Sequence, residues 1–231
     1  MDTKRRNVVK AVAATAAAAA MLPISSMAGH PTHPGPRYGM VIDLRKCTGC
    51  HSCTIACKSE FEVPKGKWRA WVKDMEQGKY PNVSRQFLPR LCNHCEDAPC
   101  VSVCPTKAAH KRDDGIVLID YDICVGCGYC IVACPYDARF RNPIDGVANK
   151  CTFCAHRVDK GLKPVCVDNC TGRARVFGDL TDPDSEAFKL ISQNPTIVLK
   201  PELGTDPHVF YIYPEGTIMG RIEEESYEGG F

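Results

Sequence analysis

Sixteen cysteines arranged as four groups of four limit what this 231-residue chain can fold into more than any other feature. The first group, Cys47, Cys50, Cys53 and Cys57, has the spacing C-x2-C-x2-C-x3-C, and the third, Cys124, Cys127, Cys130 and Cys134, repeats it with Pro135 following. The second, Cys92, Cys95, Cys100 and Cys104 with Pro105, widens the middle gap to four residues; the fourth, Cys151, Cys154, Cys166 and Cys170, widens it to eleven. Every group opens C-x2-C and closes C-x3-C. An even cysteine count in an exported chain suits disulfides, but bridges give no reason for four equivalent quartets or for the Cys-Pro endings. Structural zinc also uses C-x2-C pairs, normally as two separated pairs per ion rather than an unbroken run.

The unbroken run is the spacing of bacterial ferredoxin loops, which hold iron-sulfur clusters. Three cysteines set close together curl a loop around one iron-sulfur cube and turn thiolates and backbone N-H groups toward its sulfides, a tight wrap that Gly49, Gly126 and Gly128 permit. The fourth cysteine, four residues past the third on a short helix, is displaced by about 6 Å along the axis and reaches a second cluster. Each such helix ties two clusters together. Under this exchange Cys92, Cys95 and Cys100 share a cluster with Cys134, and Cys124, Cys127 and Cys130 share one with Cys104. Groups one and four then pair across the rest of the chain: Cys47, Cys50 and Cys53 with Cys170, and Cys151, Cys154 and Cys166 with Cys57. The expected fold is α+β, two nested bacterial-ferredoxin-like modules with loop and strand extensions. The inner module spans 91–144 and the outer one 38–90 together with 145–231.

Around the cysteines, Met40 to Leu44 and Ala174 to Phe177 read as strands flanking the outer module, and Ile116 to Ile119 as a strand in the hairpin-like stretch Lys107 to Asp122. A short helix through Glu186, Lys189 and Gln193, capped by Asp182 or Asp184, is expected to bury Phe188, Leu190 and Ile191. Trp68 and Trp71 fall in a long basic loop between groups one and two, suited to packing or to a partner contact. His51, His94 and His156 sit in or beside the cysteine loops, where capping the backbone and hydrogen bonding to a cluster are both open.

Residues 1–28 read as an export signal: Lys4, Arg5, Arg6 and Lys10, an Ala-rich run from Ala11 to Leu22, and the small-x-small ending Ser26-Met27-Ala28. Arg5-Arg6 with Asn7, Val8 and Val9 resembles the twin-arginine signal, whose route carries proteins already folded and loaded with cofactor, so a periplasmic location is expected. Residues 29–37 read as a flexible leader. No later stretch approaches the roughly 20 apolar residues of a membrane span. With 29 basic and 27 acidic side chains nothing points to nucleic acid, and 44% hydrophobic against 24% charged residues excludes a disordered chain. No G-x-G-x-x-G turn, Walker loop or H-E-x-x-H helix is present, so no catalytic residue is assigned.

Several segments together resemble the four-cluster iron-sulfur (B) subunits of the molybdopterin oxidoreductase family. They are Val41-Ile42-Asp43-Leu44 before Cys47, Leu91-Cys92-Asn93-His94-Cys95 with Ala98-Pro99-Cys100, Cys134-Pro135-Tyr136-Asp137-Ala138-Arg139-Phe140, and Lys150-Cys151-Thr152-Phe153-Cys154 with His156-Arg157. The tail segments Lys200-Pro201-Glu202 and Pro207-His208-Val209-Phe210-Tyr211 are similar to those of tetrathionate reductase members. Lys58 and Thr171 stand where such runs usually carry proline. The resemblance implies four 4Fe-4S clusters with all sixteen cysteines as iron ligands. It also implies a non-catalytic electron-transfer role between a quinol-oxidising membrane subunit and a molybdopterin catalytic subunit, with tetrathionate or a related sulfur or arsenic oxyanion as acceptor. Some relatives add a C-terminal membrane helix; here Gly216 to Phe231 carries Glu223, Glu224, Glu225 and Glu228 instead. The competing reading is a free-standing polyferredoxin or the electron-transfer subunit of another periplasmic complex.

Overall fold

The computed structural model describes residues 35–214; the expected signal, most of the leader and the acidic tail lie outside the described residues. In chain order the elements are β1 (Tyr38–Asp43), α1 (Ser52–Glu60), β2 (Ala70–Lys79), β3 (Asn82–Leu91), α2 (Pro99–Ser102), β4 (Ala109–Lys111), β5 (Val117–Ile119), α3 (Tyr129–Val132), β6 (Arg139–Arg141), β7 (Ala148–Lys150), α4 (Ala155–Val158), α5 (Val165–Asp168), β8 (Arg175–Asp179), α6 (Glu186–Gln193), β9 (Thr196–Ile197) and β10 (Val209–Ile212). Short helices and small sheets share the chain, an α+β composition.

Met40, Val41 and Ile42 of β1 are wholly buried, as a strand covered on both faces requires. It therefore lies inside a sheet of order β8-β1-β10-β9, antiparallel to β8 and parallel to β10. Ile42 stands opposite Arg175, so the strand entering the first cysteine group is bonded to the strand leaving the fourth. Helix α6 covers the sheet's far face, where Leu190 and Ile191 pack with Val41, Ala187 and Ile212. Its inward stripe runs through Ala187, Leu190 and Ile191, and Phe188, expected on that face, falls off the stripe and is half-buried. The helix starts after Ser185 rather than at an aspartate cap, because Asp182 is occupied one turn earlier, accepting from the Asp184 and Ser185 N-H groups.

The expected loop between groups one and two is instead a hairpin of two ten-residue strands, β2 with β3, closed at the cis peptide Tyr80-Pro81 and registered from Ala70 opposite Leu91 to Lys79 opposite Asn82. Pro89 and the charged Lys73, Asp74 and Arg85 disguise it in the sequence, since proline inside a run argues against a strand. The root is anchored by buried Ala70, Val72, Leu88 and Leu91. Both tryptophans pack beneath cations: the Lys58 ammonium lies 4.4 Å from the Trp68 ring centre and the Arg90 guanidinium 5.5 Å from that of Trp71. Two smaller hairpins, β4 with β5 and β6 with β7, follow groups two and three. One core runs through all of these, and cysteines contribute to it alongside aliphatic side chains.

Candidate metal centres

The structure gathers the sixteen thiols into four places. Site 1 is a pocket lined by Cys47, Cys50, Cys53 and Cys170. Site 2 brings Cys57, Cys151, Cys154 and Cys166 within electrostatic reach of one another. Site 3 is lined by Cys92, Cys95, Cys100 and Cys134, and site 4 by Cys104, Cys124, Cys127 and Cys130. Each place combines three thiols of one group with the closing thiol of another, and all sixteen are free of disulfides. The sites form a series: Cys53 of site 1 neighbours Cys166 of site 2, and Cys151 of site 2 neighbours Cys92 of site 3. Arg139 reaches Cys92 and Cys100 of site 3 and Cys130 of site 4.

Local backbone geometry makes this exchange possible. Gly49 and Gly126, with φ of +67° and +66°, make the left-handed turn inside the first C-x2-C segments of groups one and three, and Gly128, with φ of +84°, makes it in the second segment of group three. Backbone N-H groups point at sulfur: Ala109 N lies 3.4 Å from Cys104 Sγ, Phe153 N 3.4 Å from Cys151 Sγ, and Ala174 N 3.2 Å from Cys170 Sγ. Only in group one are the third and fourth cysteines within one helix, α1. In the other three groups the helix is a single turn and the fourth cysteine lies just beyond its end.

Burial governs the electrostatics. It pushes the thiols of Cys57, Cys95 and Cys154 up to about 12 and that of Cys100 to about 11, with Cys151 and Cys166 also raised. Exposed Cys50, hydrogen-bonded by Ser52, falls to about 6. Four buried thiols ionise together only when bound metal compensates their charge. Among the described residues no three His, Cys, Asp or Glu side chains form a group that could hold a single metal ion. Buried donors also face these spaces. Arg139 Nη2 donates to Cys100 Sγ at 2.8 Å while its Nε and Nη1 find no acceptor; Arg175 Nη1 lies 3.9 Å from Cys166 Sγ and its Nη2 finds none. Leaving buried donors without acceptors costs about 1–3 kcal/mol each, and a sulfide-rich anionic cluster supplies such acceptors, so the residues present fit iron-sulfur clusters.

Two family models, each described as a 4Fe-4S dicluster domain, match residues 83–180 and 46–109. The B subunit of tetrathionate reductase from Salmonella typhimurium is 45% identical over 237 residues, covering 96% of this chain and 95% of that protein. The B polypeptide of polysulfide reductase from Wolinella succinogenes is 42% identical over 76% of this chain and 94% of its own length. The arsenate respiratory reductase iron-sulfur subunit of a Shewanella species is 41% identical over 76% and 96%. This chain belongs to the iron-sulfur electron-transfer subunits of the molybdopterin oxidoreductase family.

In this iron-sulfur subunit the histidines near the loops are held by protein partners. His94 is wholly buried, accepts from the Val117 N-H at Nδ1 (3.0 Å), and stacks on Phe153 with ring centres 3.7 Å apart, joining a site 3 loop to a site 2 loop. Burial, reinforced by Lys150, drives its ring well below the usual histidine range. His156 pairs with Glu60 at 2.9 Å, and His51 adopts a left-handed φ of 58° at the start of α1. Where proline is usual, Thr171 places Oγ1 3.6 Å from Cys50 Sγ, and Lys58 donates to the Pro64 and Lys67 carbonyls. Arg139 and Lys150 stand in motif segments and Arg175 in an expected strand, but no expectation from the sequence assigns any of the three a role as a buried cation. A signal was present for two of them: Arg139 and Arg175 each stand five residues after the last cysteine of their group. No helix among the described residues is long and apolar enough to cross a membrane.

Proposed function

We propose that the subunit relays electrons singly through four 4Fe-4S clusters, between a quinol-oxidising membrane subunit and a molybdopterin catalytic subunit that reduces tetrathionate or a related sulfur or arsenic oxyanion. The ligand sets are those of sites 1 to 4, and the nested modules have the boundaries 91–144 and 38–90 with 145–231. Bound clusters supply one-electron chemistry; the chain supplies thiolates, N-H donors and a dry, rigid cage that limits solvent reorganisation. One observation carries the reading: the four sites follow one another in series, and the only exposed cysteines, Cys50 and Cys127, belong to the first and last. A relay needs accessible ends and an insulated middle. Beside site 4, Val125, Tyr129 and Val132 are exposed apolar side chains of the kind an interface covers. The twin-arginine-like signal supports export of the loaded protein to the periplasm, peripheral to the membrane through its partner. The nearly full-length similarity to the tetrathionate reductase B subunit supports the acceptor class.

Anaerobic purification of the native assembly, with identification of companion chains and an iron count, tests this. A molybdopterin chain, a membrane chain and about sixteen irons per subunit are expected, four per site. A companion-free holoprotein would favour a polyferredoxin, and markedly less iron after full reconstitution would remove the relay.

A further inference from the structure

Three buried cations occupy the three junctions between the four sites. Arg175, only 3% exposed, neighbours Cys53 of site 1 and Cys166 of site 2. Lys150, fully buried, neighbours Cys151 of site 2 and Cys92 and Cys100 of site 3. Arg139, 4% exposed, donates to Cys100 of site 3 and also reaches Cys130 of site 4. Among the described residues none of the three forms an ion pair with a carboxylate. A buried guanidinium stays charged and is costly without a compensating anion, so its placement beside thiols of two different sites calls for an explanation. The two arginines hold equivalent places, opening β6 and β8. Lys150 closes the remaining gap, donating to the Cys151 carbonyl (2.6 Å) and to that of Val117, whose own N-H holds His94.

We infer that Arg175, Lys150 and Arg139 are junction cations. Each holds a positive charge between consecutive clusters and favours the reduced, more negative state of both, so a passing electron is beside a fixed positive charge at each transfer. The inference rests on the reading of sites 1 to 4 as cluster sites. A positive charge in a poorly screened interior acts most strongly on its nearest neighbours, so the prediction is local. None of the three touches substrate; they are positioning residues acting through the potentials of the clusters.

The test is a potentiometric titration of the complete holo-complex, following each cluster's paramagnetic signal, for wild type, Arg175→Gln, Lys150→Met and Arg139→Gln. Each neutral variant is expected to lower the midpoints of its two flanking sites, 1 and 2, 2 and 3, or 3 and 4 respectively. The expected shift is about tenfold in the oxidised-to-reduced ratio at fixed potential, which is about 59 mV for a one-electron couple, and the remote sites stay unmoved. Arg→Lys at 139 and 175 and Lys150→Arg are expected to return the midpoints toward wild type. Unmoved flanking midpoints, equal shifts at all four sites, or charge-preserving variants that behave like the neutral ones would overturn the inference. Where a neutral variant loses iron, the charge-preserving variant decides: midpoints near wild type support the inference, and midpoints lowered at its flanking sites overturn it. Fewer than four cluster signals in the wild type would instead overturn the parent reading.

Discussion

Sites 3 and 4 close within residues 92–134, whereas sites 1 and 2 need Cys47 and its neighbours to meet thiols as far along as Cys170. Both halves exchange closing cysteines, but they are held differently. The local half has only the short hairpin β4 with β5 within it and leans on one-turn helices. The distant half has the four-stranded sheet: β1 delivers the chain to group one, β8 carries it from group four, and the Ile42 and Arg175 register aligns the two. Closing a longer loop adds entropy cost only slowly. What the distant half requires is a surface that specifies where the ends meet, and a buried strand pair provides it.

Iron removal should separate the halves most. Metal-thiolate bonds contribute much of the folding free energy in proteins of this kind, so chelation of the anaerobic holoprotein is expected to strip amide-exchange protection from 92–134 while β1, β8 and β10 still exchange slowly. Equal loss in both halves would break the comparison. Next in size, Cys57→Ser should abolish the signal of site 2 and spare site 1, although Cys57 belongs to the group that furnishes most of site 1. Cys134→Ser should likewise abolish site 3 and spare site 4; cluster-resolved spectra that show the reverse pattern would refute shared helices.

Glycine substitutions sharpen the contrast at smaller scale. A Cβ at Gly172 would lie 2.2 Å from the Lys46 carbonyl oxygen, backbone against backbone where groups four and one meet, while one at Gly128 meets nothing within 4 Å and faces only its left-handed φ of +84°. Gly172→Ala is therefore expected to cost about 3 kcal/mol and to lower site 1 occupancy, and Gly128→Ala about 1 kcal/mol; denaturant midpoints and iron counts compare them.

A pH-dependent effect of comparable size concerns the seam between the sheet and the group two loop. His208 donates its N-H to the Asn93 carbonyl, its own carbonyl accepts from Met40, and Arg37 Nη2 donates to its Nε2 at 2.9 Å, which requires the neutral ring. Burial, aided by Arg37, lowers it to about 4 from 6.5. With the folded value below the unfolded one, the unfolded chain binds the extra proton, so stability is full above about pH 6.5 and declines as pH falls toward 4. Between pH 7 and 5 this amounts to about 2 kcal/mol at most. Denaturant melts of wild type and His208→Asn should differ in slope over that window; parallel curves would contradict it.

Much of this was legible in the chain itself. Gly49, Gly126 and Gly128 marked the loops, Met40 to Leu44 and Ala174 to Phe177 marked the central strands, and the closing C-x3-C marked the exchange, all from local spacing. The β2 and β3 hairpin was not, because Pro89 and alternating charges hide a strand whose burial is confined to its root. Nor was the start of α6 just after Ser185, since Asp182, which resembles a cap, is committed to the preceding turn. Lys150 stands in a motif segment, but nothing there marked it as buried: a lysine beside a cysteine is ordinarily a solvated surface group, and the approach of Val117 encloses it.

The sequence by itself determined the number of thiols, their division into quartets and the chemistry they favour, because a few bonds of covalent chain set the distance from one sulfur to the next. Tertiary structure alone decided the order of the four sites, the His94 and Phe153 stack that joins the two halves, and a cation at each junction. Those depend on packing between residues far apart in the chain, which no local spacing encodes.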